Sequence, residues 1–182
     1  MKSNFYILIN FIFLSNVFAT FSIIAVDTTN GEVGSAGGSC IAGSIIISDI
    51  HPGVGVIHTQ SYYIPPNQNY ASNLMDEGYS PNEIIHLLVE NDTQNNPSIR
   101  QYGIVDLYIE NTYGLLYETE CYEIPNAIWQ GIPNSNDLGL CSDPMTSRSA
   151  AFTGNNCSNW KGQINGINYS IQGNILLDET VL

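Results

Sequence analysis

One threonine carries most of the chemistry in this sequence, provided the chain is cut just before it. In VFATFSIIAVD (17–27), Thr20 follows Val17 and Ala19, small residues at the two positions a signal peptidase inspects. Upstream stand Lys2 and the apolar run FYILINFIFL (5–14), the layout of a secretory signal. That run is about half of the ~20 residues needed to span a bilayer and contains Asn10, so residues 1–19 read as a cleaved signal rather than an anchor. Cleavage after Ala19 would give Thr20 a hydroxyl and a free α-amine on one framework. A threonine hydroxyl is a weak nucleophile that needs an adjacent base, and an α-amine with a pKa of ~7.7–8.0 can serve as one.

The other reactive side chains converge less. His51, His58 and His86 lie in a loop, a strand and a helix, with no spacing that suggests a triad or a metal site. Cys40, Cys121, Cys141 and Cys157 show no CxxC or CxH pattern, so neither zinc nor another cofactor is implied. An even cysteine count in an exported chain favours two disulfides, with three possible connectivities. Residues 20–182 keep all 17 acidic side chains against Arg100, Arg148 and Lys161. Nucleic acid and anionic lipid both require clustered Lys and Arg, so neither is an expected partner, and no membrane contact is expected once the signal is gone.

The elements that must position Thr20 can be read from pattern. TFSIIAVD (20–27) reads as a strand buried on both faces, and TTNG (28–31) as a turn into EVGSAGGSC, giving a hairpin. SIIIS (44–48) and GVGVIHTQS (53–61) read as two further strands. A short helix is expected over 67–78, closed by Gly78. A second is expected over 80–92, with Ser80 as cap, Pro81 at the first position and Glu83 completing a capping box. Ile84, Leu87 and Leu88 would share its packing face while His86 points to solvent. Strands resume at 100–109, 149–154 and 169–177. Strands, a helix pair and strands again suggest an α+β sandwich of two stacked sheets covered by helices.

TFSIIAVDxxxGEVGSAGGSC, HPGVGVIHTQS, SPNEII, IRQYGIVD, AAFTGNNC and YSIQGNIL together resemble the exported proteins grouped as domain of unknown function 1028, which are placed with the N-terminal-nucleophile (Ntn) hydrolases. The resemblance covers nearly all of 20–107 and 148–177. It implies a four-layer αββα sandwich in residues 20–182, with Thr20 as both nucleophile and α-amine base toward a small amide or peptide. Asn174 then becomes the candidate oxyanion donor, beside Gly173, which permits close backbone approach. Thr59 and Gln60 follow as substrate-binding candidates, of which strand alternation lets one reach the site. Ser39, after the small-residue run GSAGG, and Arg100 complete the set, with Arg100 and Asp106 read as a charged pair.

The same resemblance pairs Cys40 with Cys157, both in family-like blocks, and Cys121 with Cys141 inside an insertion. Residues 108–147, about forty, stand where family members make a short turn. After ILL (175–177), Asp178 reads as the cap of a helix that four further residues are too few to form, so the sandwich is expected to be incomplete at this end. Two functions fit the sequence: a secreted Thr-dependent amidohydrolase, and a secreted binding or structural module that keeps the fold without turnover.

Overall fold

The computed structural model describes residues 19–107 and 147–182. Two antiparallel four-stranded sheets stack face to face. The chain runs β1 (Thr20–Asp27), β2 (Glu32–Gly38), β3 (Ser48–His51), β4 (Gly55–Gln60), α1 (Pro65–Asp76), α2 (Pro81–Glu90), β5 (Gln101–Leu107), β6 (Ser147–Thr153), β7 (Lys161–Asn165) and β8 (Tyr169–Asn174). Sheet A has the order β2-β1-β8-β7 and sheet B the order β3-β4-β5-β6.

β1 alternates buried and half-buried side chains, so Thr20, Ser22, Ile24 and Val26 face sheet B while Phe21, Ile23 and Ala25 face outward. The β1–β2 turn is held by the Asp27 carboxylate, which accepts from the Thr29 N–H at 2.8 Å and from Asn30 Nδ2 at 3.2 Å, while Gly31 takes the φ of 69° that closes it. The capping box forms as its residues predict. The Ser80 hydroxyl accepts from the Glu83 N–H at 3.3 Å, and Glu83 Oε2 accepts from the Ser80 N–H at 2.7 Å. His86 lies on the exposed side of α2, 3.3 Å from Glu90 one turn on.

Ile84, Ile85 and Leu88 of α2 and Ala71, Leu74 and Met75 of α1 pack on Ile57, Tyr102, Ile104, Ala150 and Phe152 of sheet B. The described residues therefore make three layers: helices, sheet B, sheet A. A fourth, helical layer on the outer face of sheet A is not among them.

The structure departs from the sequence reading at several points. Ser44–Ile47 is a turn of 3-10 helix rather than strand. Gly43, at φ 72°, redirects the chain, and of the three isoleucines only Ile47 is buried. β7 was not expected, because KGQIN lacks the β-branched run that marks a strand. Asp178 caps a single 3-10 turn, Glu179–Val181, accepting from the Thr180 N–H at 2.9 Å. Ser147, assigned to the insertion, is the first residue of β6. The remainder of the insertion, the Cys121–Cys141 pair and residues 1–18 of the expected signal lie outside the described residues. Among the described residues no helix is long and apolar enough to cross a membrane.

Candidate functional site

Thr20 opens β1 on its inner face and is 9% exposed. Two side chains meet it from neighbouring strands. Asn174 ends β8 directly opposite Thr20 in the antiparallel register, which sets their Cβ atoms about 5 Å apart. Ser39 follows β2, and its hydroxyl lies 2.9 Å from the Thr20 hydroxyl. The small residues before Ser39 allow this approach: a side chain at Gly37 would stand 2.8 Å from the Phe21 carbonyl oxygen.

Behind this trio lies a polar layer. Sheet A contributes the cross-strand row Ser22, Gln172, Gln163, and sheet B contributes the row Gln60, Gln101, Thr153, all at most 2% exposed. The hydroxyl of Ser22 donates to Gln60 Oε1 at 2.7 Å, and Gln60 Nε2 donates to Gln101 Oε1 at 2.6 Å. Gln101 is the hub. Its Nε2 faces Thr153 Oγ1 at 3.0 Å and the carbonyls of Gly162 at 2.9 Å and Gly173 at 3.0 Å, while its Oε1 also accepts from Asn174 Nδ2 at 3.0 Å. Two amide donors on one side and three oxygens on the other fix the orientation of the Gln101 amide, and through it that of Asn174. One Asn174 N–H is held by Gln101. Among the described residues the other has no hydrogen-bond partner.

The remaining sequence candidates fall elsewhere. Gln60 joins the polar layer, whereas Thr59 points the opposite way, toward the helices, paired with Tyr102. Arg100 does not pair with Asp106. Buried at 1% exposure, its guanidinium binds Asp92 at 2.9 Å and Gln94 at 2.6 Å and donates to the Tyr62 carbonyl, tying the loop after α2 to the segment after β4. Burial opposes charge on Asp92, but hydrogen bonds from Arg100, Asn96, Asn67 and Gln94 outweigh it and hold the carboxyl at about 2. Asp106 pairs instead with Arg148, its cross-strand neighbour on the helix-facing side. Cys157 is a buried thiol donating to the Arg100 carbonyl at 3.1 Å and is not bonded to Cys40, which lies exposed after β2. Burial pushes that thiol up, so it stays protonated.

A second histidine environment lies further along the sandwich. His58 Nε2 is 2.6 Å from the Ser35 hydroxyl, which in turn accepts from Ser48, and His58 Nδ1 is buried without a partner. Burial alone lowers His58 to about 4, keeping it neutral. Among the described residues no group of His, Cys, Asp and Glu is arranged to hold a metal.

Gln101 and the row behind it escaped the sequence reading, although a signal was present. Ser22, Gln163, Gln172 and Gln101 occupy strand positions of inward parity where apolar residues are the rule.

A protein-family model described as a family of unknown function, DUF1028, matches residues 20–114 and 143–182. The chain belongs to the DUF1028 family. The match begins at Thr20, includes every residue of the trio and the polar layer, and passes over 115–142, within the expected insertion. A crystal structure of a DUF1028 protein from Silicibacter pomeroyi superposes with a TM-score of 0.60 at 20% sequence identity, over 90% of this chain and 56% of that one. The present DUF1028 chain thus spans little more than half the length of that protein, and the likeness concerns the fold. No curated protein matches.

Proposed function

We propose that this protein is an exported Thr-dependent amidohydrolase of the N-terminal-nucleophile type, its signal removed after Ala19, acting on a small amide or peptide. The observation that carries the reading is the meeting, at the inner-face end of β1, of Thr20 with the Ser39 hydroxyl at 2.9 Å and with Asn174 in the opposing strand. The two-sheet sandwich and the family supply its setting.

In this reading Thr20 Oγ1 attacks the substrate carbonyl as its proton passes to the α-amine. Ser39 fixes the rotamer of the attacking hydroxyl. The carbonyl oxygen, now an anion, accepts from the second Nδ2 hydrogen of Asn174, whose first is held by Gln101. The protonated α-amine returns its proton to the leaving amine as the C–N bond breaks, leaving an ester on Thr20. Water, deprotonated by the same α-amine, hydrolyses that ester to release the acid and restore the hydroxyl.

N-terminal sequencing of the exported protein should begin at Thr20, and a β-lactone probe should acylate that residue. Thr20→Ala should lose labelling while keeping the fold. So should a form with one residue added before Thr20, which retains the hydroxyl but turns the α-amine into an amide. If the extended form is labelled as fast as the native one, the base lies elsewhere and the mechanism fails.

A further inference from the structure

From the charges around Thr20 we infer that the site takes neutral or cationic amides and rejects those bearing a carboxylate or phosphate; this rests on the reading of Thr20 as nucleophile. Residues 20–182 contain three Lys and Arg side chains, and each is committed. Lys161 stands nearest, as the cross-strand partner of Asn174. All three of its N–H bonds are engaged, by the carbonyls of Asn155 at 2.9 Å and Cys157 at 3.0 Å and by Asn159 Oδ1 at 2.9 Å. Arg100 is spent on Asp92, Gln94 and the Tyr62 carbonyl. Arg148 is paired with Asp106, and the two lie five residues along β5 and β6 from Gln101 and Thr153, about 16 Å from the site's end of the sheet.

Histidine offers no substitute. His58 is buried and neutral, His51 is held between Asp76 and Asp49, and His86 sits beside Glu90. The α-amine of Thr20 must be unprotonated to act as base. Among the described residues, what surrounds the nucleophile is therefore hydroxyl and carboxamide, from Ser39, Asn174, Ser22, Gln60 and Gln101. An anionic substrate would give up its hydration with no cation among the described residues that has a donor left to receive it, and would approach against a field of 17 acidic side chains. A cationic one is drawn in by that field.

The test uses the exported protein and three β-lactones of equal arm length ending in an ammonium, a hydroxyl or a carboxylate. Each rate of Thr20 acylation is normalised to the same probe's reaction with threonine amide in solution. The ammonium probe should react about tenfold faster than the carboxylate probe at low ionic strength, with the hydroxyl probe between, and the spread should narrow as salt is added. A carboxylate probe that reacts as fast as the hydroxyl one overturns the inference while leaving the nucleophile in place. If no probe labels Thr20, the nucleophile reading itself fails and takes this inference with it.

Discussion

On its helix side, sheet B presents Ile57, Ile104, Ala150 and Phe152 to the apolar faces of α1 and α2. On its other side, Gln60, Gln101 and Thr153 face Ser22, Gln172 and Gln163 of sheet A through a continuous hydrogen-bond network. Apolar packing is favourable but non-directional, so it tolerates small sliding between layers. A buried polar layer does not, because a shift that breaks one bond leaves a donor or acceptor unsatisfied at ~1–3 kcal/mol. The two interfaces of one sheet therefore serve different ends. The helix side supplies stability, and the glutamine layer fixes the register of the sheets where Thr20, Ser39 and Asn174 meet. Further from Thr20 the inter-sheet space becomes apolar again, with Ile24, Val26, Val56 and Val105, where no side chain needs placing.

The largest effect expected from this contrast is on the helix side. Phe152 is 2% exposed and stacks on Tyr102 with ring centroids 5.9 Å apart. Phe152→Ala should cost ~4 kcal/mol in denaturant unfolding, through lost burial and the cavity left behind. The folded fraction should still acylate at Thr20 at the native rate. A variant that unfolds no more readily than the native protein would show that this layer is not the main source of stability.

The next effect comes from the inter-sheet side and depends on pH. His58 titrates at about 4 when folded against 6.5 unfolded, so between those values the unfolded chain binds the extra proton. Stability should be full above pH 6.5, fall through that window and level off near 4, by ~3 kcal/mol at most. Asp92, held at about 2, gives up its contribution only below the carboxylate's ordinary value of 3.8, so the two windows do not overlap. Denaturant midpoints at intervals from pH 7.5 to 4.5 should show the fall in the native protein and a flatter profile in His58→Gln. Equal slopes in both would remove His58 as the cause.

How far the sequence revealed this division depends on which residues carry it. β1 and its turn, and α2 with its Ser80–Glu83 box, are specified by neighbouring residues and were legible. The family blocks single out Thr20 and Asn174, which the register of β1 and β8 sets opposite each other. The glutamine layer was not legible, because a glutamine in a strand reads as solvent-facing until the opposing sheet is in place. Arg100 was drawn to Asp106 by a shared strand segment, yet the two face different neighbours: a loop carboxylate after α2 claims one and a cross-strand arginine the other. The family blocks pair Cys40 with Cys157, and no local pattern says that Cys157 turns inward to a carbonyl instead.

The smallest effects give the sharpest comparison, because one chemical change can be made on both sides of sheet B. Thr153 and Thr59 are both buried, at 0% and 2% exposure, on β6 and β4, the two strands that flank β5 in sheet B. Thr153 Oγ1 accepts from Gln101 at 3.0 Å and donates to Gln163 at 2.7 Å, whereas Thr59 Oγ1, on the helix side, has no hydrogen-bond partner. Valine replaces threonine with nearly the same shape and the same stiffness at χ1, so backbone preference and volume drop out. Thr153→Val should lose ~1 kcal/mol, since Gln163 Oε1 is left without that donor and Gln101 Nε2 keeps only the Gly162 and Gly173 carbonyls. Thr59→Val should gain ~1 kcal/mol, because it removes a buried hydroxyl that satisfies nothing and adds a methyl to an apolar layer. Urea unfolding of the two variants, with unchanged m-values, measures both. Opposite signs are what a polar interface and an apolar interface on one sheet require. If both variants moved the same way, burial alone would govern these positions and the hydrogen-bonded layer would have no separate part in setting the register of the sheets.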